Sequence, residues 1–360
     1  MPSVPAGSLV LVTSGSGFLG AWTVNSALKH GFRVRTTVRS DSKGEYLKQL
    51  FSKHGDKFSY TIVEDLEKPG AFDEAVKDVS AVVHTGSPFH FDVQGDPYKH
   101  LIHPAVNGTL SVLKAAHEHG KEVKRIVITS SYAAVVDSNN TKDVLTVEDW
   151  NETDPKTVEK DPKNANGLVA YRASKSLAEK AMWDFIEKSK PSFDAVSVCP
   201  PMIFGPIIHQ VDSVEKLNTS SKFWFELIQG KKDESTLANP GGNCVDVRDT
   251  ADVHILALTT DKASNQRMPS SLGQYTYQRF ADAVHSSKKV PDAIKQKTPK
   301  GNPGTGQPKQ KTFDGSKSVD LLPGFKYRDY QIITDDSVEA WLDYEKRGWK
   351  GVANAILLDL

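Results

Sequence analysis

Apolar positions along the first half of the chain switch between two rhythms. Leu9-Val10-Leu11-Val12 is a continuous apolar run, the pattern of a parallel strand covered on both faces. A turn of small residues follows, Thr13-Ser14-Gly15-Ser16-Gly17. Leu19, Trp22, Thr23, Ala27 and Leu28 then fall near one side of a helix spanning about 18–30, which Gly31 ends. Residues 33–38 predict a second strand. Strand, glycine-rich turn, helix and strand within about 30 residues make the βαβ unit that binds a dinucleotide. Gly17 lets the backbone approach a pyrophosphate, and Gly20 lets the helix pack against the strand. The helix N-terminus offers free N–H groups and partial positive charge. Thr13, Gly15, Ser16, Gly17, Phe18 and Leu19 are the candidate cofactor contacts here.

The same rhythm continues. Strands are predicted at 60–63, 80–84, 123–129 and 195–199, and helices at 46–51, 72–76, 104–119 and 169–188. Residues 137–167 are polar and carry Asn, Asp and Pro, which predicts a long loop with at most short helical turns. Past residue 205 the pattern weakens. It predicts helices at 221–229, 250–259, 279–286 and 338–347, a short strand at 243–247, and an exposed excursion at 288–311 rich in Lys, Pro, Gly and Gln. The expected architecture is α/β: a Rossmann-type doubly wound parallel sheet with a smaller mixed α/β substrate-binding lobe. Residues 1–199 are expected to form the dinucleotide-binding domain, with a return near 243–262, and 200–360 mainly the lobe.

Composition narrows the function. Lys plus Arg and Asp plus Glu each total 45, so the formal net charge is zero and nothing points to nucleic acid or an anionic membrane. No apolar run approaches the ~20 residues of a membrane span, and the N-terminus lacks the pattern of a secretory signal. A cytoplasmic address is expected. The two cysteines, Cys199 and Cys244, are expected to be reduced thiols, and no metal-ligand spacing is present. A monomer or weak homodimer is expected.

Candidate chemistry clusters at predicted strand ends. Arg39 and Lys43 follow the second strand, where an NAD site places an acidic residue on the ribose; two cations there favour a 2′-phosphate and hence NADP(H). Asp41 is the competing feature. Asp65 and Leu66 end the third strand, where the first could bond an adenine amino group and the second pack on the ring; a surface turn is the alternative for Asp65. Thr85, Gly86 and Ser87 follow the fourth strand, where a cofactor backbone would lie. Asn107 is either a structural amide or an active-site one. In Tyr171-Arg172-Ala173-Ser174-Lys175, Tyr and Lys stand at i and i+4 on one helix face. A neighbouring ammonium favours a phenolate, so Lys175 is expected to lower the Tyr171 pKa toward that of a useful proton donor. Ser131, at the end of the fifth strand, could bond the same substrate oxygen.

Together these pieces resemble the extended short-chain dehydrogenase/reductases, in particular the dihydroflavonol-4-reductase-like carbonyl reductases that include microbial aldehyde and methylglyoxal reductases. The resemblance rests on 12–20, 37–40, 82–89, 106–109, 128–135, 171–175, 204–206 and 245–253, and covers roughly 8–285. It implies reduction of a small carbonyl substrate with NADPH. Tyr171 would donate the proton, Lys175 would hold the nicotinamide ribose, Ser131 would orient the carbonyl and Asn107 would join a proton relay. Pro200 and Ile203 would lie at the nicotinamide. Phe89, Tyr132, Pro201 and Phe204, with the stretch 223–225, are candidate substrate contacts that could equally be core. An epimerase, dehydratase or sterol-type dehydrogenase on the same scaffold, or a non-catalytic NADP sensor, are the competing readings.

Three departures stand out. Ser14 replaces the first glycine of the turn, which predicts backbone strain and weaker cofactor binding if the position needs a positive φ. Gly86 stands where Ala is common, a change read as harmless. Cys199 stands where Asn often precedes Pro.

Overall fold

The computed structural model describes residues 4–87, 92–306 and 310–353. In chain order the strands are β1 (Leu9–Thr13), β2 (Arg33–Val38), β3 (Phe58–Ile62), β4 (Ala81–His84), β5 (Arg125–Thr129), β6 (Val144–Leu145), β7 (Asp194–Cys199), β8 (Met202–Phe204), β9 (Gly242–Asp246), β10 (Arg267–Pro269), β11 (Gly273–Tyr275) and β12 (Thr312–Phe313). The helices are α1 (Phe18–Lys29), α2 (Asp41–Leu50), α3 (His103–His119), α4 (Thr153–Lys160), α5 (Gly167–Ser189), α6 (Thr219–Ile228), α7 (Val247–Thr259), α8 (Tyr277–Ser286), α9 (Asp292–Lys297), α10 (Ser316–Leu321) and α11 (Tyr330–Lys346).

Seven parallel strands form the main sheet in the order β10-β7-β5-β4-β1-β2-β3. Alternation assigns the two faces. Val10, Val12, Val83 and Val127 face a core built with α1 and α7, while Leu11, Val82, Ile126 and Ile128 face α3 and α5. Strand order reverses between β1 and β4. That places a ligand crevice beyond their carboxyl ends, where open doubly wound sheets bind cofactors. A smaller sheet, β11-β9-β8, leaves the main one after β7, and β6 pairs with β12.

The first βαβ unit forms as its pattern predicts, and Gly31 takes the left-handed φ of 84° that closes α1. Other stretches differ. Residues 72–76 form turns rather than a helix, although Phe72, Val76 and Val79 are buried; Gly70 and Asp78, on either side, adopt positive φ and bound the segment. The expected loop at 137–167 contains β6 and the two-turn α4. Pro155 is tolerated in the first turn of α4, where its missing N–H leaves nothing unpaired. The excursion at 288–311 contains α9, anchored by buried Val290 and Ile294. The short strand β10 completes the main sheet, where the hydrophobic pattern predicts no strand. Both cysteines are free and fully buried. Among the described residues, no helix is long and apolar enough to cross a membrane.

Candidate active site

Thr13 ends β1 in register with His84 at the end of β4. Its hydroxyl accepts the Thr85 N–H at 3.1 Å and bonds His84 Nδ1 at 2.9 Å, and Thr85 Oγ1 donates to the Thr13 carbonyl at 2.6 Å. The loops leaving the two strands are thereby fastened at their roots. Ser14 turns the chain with φ of 56°. Its N–H donates to Thr37 Oγ1 at 2.9 Å, and its carbonyl accepts from Gly17 at 3.1 Å. An added Cβ at Gly15 would fall 2.0 Å from Thr36 Oγ1, and at Gly20 2.2 Å from the Ser14 carbonyl oxygen, so both positions require glycine. Gly17 caps α1 without a side chain, and no acidic residue occupies the first turn. The leading N–H groups of α1 remain available to an anion, the donor set a dinucleotide diphosphate needs. Ser16, Phe18 and Leu19 are half-buried around this turn.

Arg39 is exposed just past β2, and Lys43 is half-buried in the first turn of α2. Asp41 accepts the Tyr60 hydroxyl at 2.7 Å, a bond that Tyr60 shares with Glu45, so the competing carboxylate is engaged. Asp65 is exposed and accepts the Glu67 N–H at 2.9 Å, which makes it a surface turn. Leu66 is half-buried and packs toward the loop 85–87.

α5 begins at an Asn166 side-chain cap and carries the second cluster. Tyr171 and Lys175 are both buried, and the Lys175 Nζ lies 5.6 Å from the Tyr171 ring centroid. Nζ donates to Ser87 Oγ at 2.6 Å. Ser131 caps the short turn after β5 and shares a hydrogen bond with the Tyr171 phenol. Sequence reasoning expected Lys175 to lower the Tyr171 pKa. In the structure burial raises it to about 12, with the Ser131 bond opposing, and burial lowers Lys175 to about 8. Desolvation of each group outweighs the i, i+4 relationship.

One further turn along α5, Glu179 is fully buried, a residue the sequence reading missed. It accepts Ser130 Oγ at 2.5 Å, Ser197 Oγ at 2.6 Å and Arg267 Nε at 2.7 Å. Burial pushes this carboxyl up, but Arg267 and the two hydroxyls outweigh it and hold the pKa below its ordinary value. The same carboxylate therefore ties α5 to β7, β10 and the end of β5, next to Ser131. Its position at i+8 from Tyr171, on the same face, was the available signal.

The remaining candidates separate. Asn107 is exposed on α3 and neither caps the helix nor is buried. Pro200 is buried and its carbonyl accepts the Tyr132 N–H at 2.9 Å; Pro201 and Ile203 are half-buried. Tyr132 is half-buried with its ring 4.9 Å from Phe313. Phe204 is a core residue, 1% exposed between Tyr275 and Phe280, because β8 turns it into the interior. Phe225 likewise stacks on Trp341 at 3.7 Å. Phe89 lies outside the described residues. Among the described residues, no three His, Cys, Asp or Glu gather as a metal site.

A model of the 3-beta hydroxysteroid dehydrogenase/isomerase family matches residues 11–277. The chain is 36% identical to the ketoreductase azaE of Aspergillus niger, over 93% of this chain and 97% of that one. It is 34% identical to the NADPH-dependent methylglyoxal reductase GRE2 of Saccharomyces cerevisiae, over 94% and 99%. The crystal structure of yeast methylglyoxal/isovaleraldehyde reductase Gre2 complexed with NADPH matches with a TM-score of 0.82 at 32% identity, covering 94% of this chain and 99% of that one.

Proposed function

We propose that this chain, which belongs to the 3-beta hydroxysteroid dehydrogenase/isomerase family of extended short-chain dehydrogenases/reductases, reduces aldehydes and ketones to alcohols with NADPH. The observation that carries this reading is the group formed by Ser131, Tyr171 and Lys175 beside an open glycine turn. Bound NADPH supplies the hydride. Tyr171 gives its phenolic proton to the carbonyl oxygen, and Ser131 bonds the same oxygen and aligns it. Lys175, cationic over most of the neutral range despite its lowered pKa, favours the phenolate that Tyr171 leaves behind. Arg39 and Lys43 receive the 2′-phosphate, a role supported by the engagement of Asp41 with Tyr60. Thr85, Gly86 and Ser87 would line the cofactor, and Asn107, exposed on α3, would join a proton path only through solvent. The region 200–360 supplies the lobe over the carbonyl, with Tyr132 and Pro201 as contacts. We place the protein in the cytoplasm, as a monomer or weak homodimer.

The test is NADPH oxidation against aryl ketones, β-keto esters, methylglyoxal and simple aldehydes, with NADH in parallel. Tyr171→Phe should lose at least about 100-fold in kcat while still binding NADPH. Wild-type turnover by that variant would overturn the assignment of Tyr171. Equal binding of NADH and NADPH would remove the role given to Arg39.

A further inference from the structure

We infer that Ser14 and Gly86 act as one steric pair that sets how the cofactor seats between the β1 turn and the β4 loop, an inference that rests on the cofactor reading above. An ideal Cβ on Gly86 would lie 2.5 Å from Ser14 Oγ, 2.9 Å from Leu66 Cδ1 and 3.4 Å from Ser14 Cβ. The space an alanine methyl would take at 86 is occupied by the Ser14 hydroxymethyl group. The register of β1 and β4 makes the two positions neighbours: Thr13 pairs with His84, so each residue lies one or two steps beyond the same rung.

Neither backbone can step aside. Thr13 and Thr85 are joined by two hydrogen bonds, which fixes the separation of the loops. Ser14 and Gly15 both donate to Thr37, which pins the turn to the end of β2. Thr36 Oγ1 fills the Gly15 slot, and Gly20 presses on the Ser14 carbonyl from α1. A methyl at 86 therefore has to displace the Ser14 hydroxyl and the Leu66 side chain. Both moves intrude on the cleft over the glycine turn and on the side chain proposed to pack on the adenine ring. Gly86 is thus a positioning residue for cofactor affinity, and its small size answers the extra side chain at 14.

The experiment compares wild type, Gly86→Ala, Ser14→Ala/Gly86→Ala and Ser14→Gly/Gly86→Ala. The readouts are NADPH binding by fluorescence, KM for each substrate and the melting temperature of the cofactor-free protein. Gly86→Ala should weaken NADPH binding about fivefold to tenfold, the effect of one side chain forced off its rotamer. The rise should fall on KM for NADPH and not on KM for the carbonyl. Removing the hydroxyl, in Ser14→Ala/Gly86→Ala, should recover most of the loss, and Ser14→Gly/Gly86→Ala should recover all of it. Unchanged NADPH binding in Gly86→Ala would overturn the pairing, as would failure of both double variants to rescue. Should Gly86→Ala not fold, folding and binding by the double variants carry the same proof. A wild type that did not bind NADPH would sink the cofactor reading instead. The pair would then stand or fall on melting temperature, which Gly86→Ala must lower and Ser14→Ala/Gly86→Ala must restore.

Discussion

Lys175→Met should stabilise the cofactor-free protein while removing its activity. Lys175 is 7% exposed, and burial lowers its pKa from 10.5 to about 8. The sign follows from proton binding in the two states. Below pH 8 both the folded and unfolded chains carry the charge, and the folded state bears the full cost of burying it. Between about 8 and about 10.4 the unfolded chain binds the extra proton, so stability rises with pH; above that range the cost has vanished. A gap of somewhat more than two decades in proton affinity, at about 1.4 kcal/mol per decade, amounts to about 3 kcal/mol. Against this, the variant loses the bond from Nζ to Ser87 Oγ, but Ser87 is half-buried and can turn to water, at a cost of about 1 kcal/mol or less. Methionine fills the same channel with an adaptable apolar chain.

The net gain should be about 2 kcal/mol at pH 7, after the lost hydrogen bond is set against the relieved burial of charge. Urea unfolding of both proteins without cofactor, from pH 6.5 to 10.5 in steps, measures it. The gap between variant and wild type should be full below pH 8 and close progressively above it. Other titrating groups cancel in the difference. Lower stability of Lys175→Met at pH 7, or a gap that does not change with pH, would refute the claim that the folded site holds a desolvated cation. Turnover should meanwhile fall at least about 100-fold.

Glu179→Met leaves Arg267, Ser130 and Ser197 facing a lost acceptor and should cost about 3–5 kcal/mol, whereas Glu179→Met/Arg267→Met should recover a large part of that; equal melting points for the two would refute the pairing argument. Gly20→Ala places a methyl 2.2 Å from the Ser14 carbonyl and should destabilise by about 1–3 kcal/mol while weakening NADPH binding; an unchanged melting curve would show that α1 has room to retreat. Tyr60→Phe releases Asp41 and should lower KM for NADH by about twofold to fivefold, read from parallel NADH and NADPH titrations; an unchanged preference would show that the Tyr60 contact does not restrain Asp41.

Chemistry carried by residues close in sequence was legible; chemistry made by packing was not. β1, the glycine turn and α1 announce themselves because a buried parallel strand must be apolar throughout and because Gly15 and Gly20 occupy slots that admit no side chain. Tyr171 and Lys175 stand one turn apart, so their shared face follows from helix geometry. Their pKa directions do not follow. The i, i+4 rule supplies the neighbouring charge, while the deciding quantity is burial by residues such as Leu101 and Ala133, which arrive from the turn that precedes α3 and the loop after β5. Strand β10 has no signature in the sequence for a related reason: Arg-Met-Pro is too short to show alternation, and its Arg is held by Glu179 from far along the chain. Phe204 looked like a pocket aromatic because an aromatic in a predicted loop has no visible partner; Tyr275 and Phe280 supply the partners only in three dimensions.

At Ser14 the positive φ is as expected, and the structure gives a reason for its cost to fall on folding rather than on cofactor binding. Its φ of 56° lies in the left-handed region, where a side chain costs about 1 kcal/mol or more. The turn is held by the protein's own contacts, with Thr37, Gly17 and Gly20. Because these contacts lie within the protein, the strain belongs to the folding equilibrium and cancels from cofactor binding. The steric half of the expected penalty is relieved by Gly86. Ser14→Gly should therefore raise the stability of the cofactor-free protein by about 1 kcal/mol and leave the Kd for NADPH within about twofold of wild type. Denaturant unfolding and fluorescence titration of the same preparation separate the two effects. A variant that bound NADPH about tenfold more tightly with no gain in stability would show that the turn is strained by the cofactor itself, and the cancellation argued here would fail.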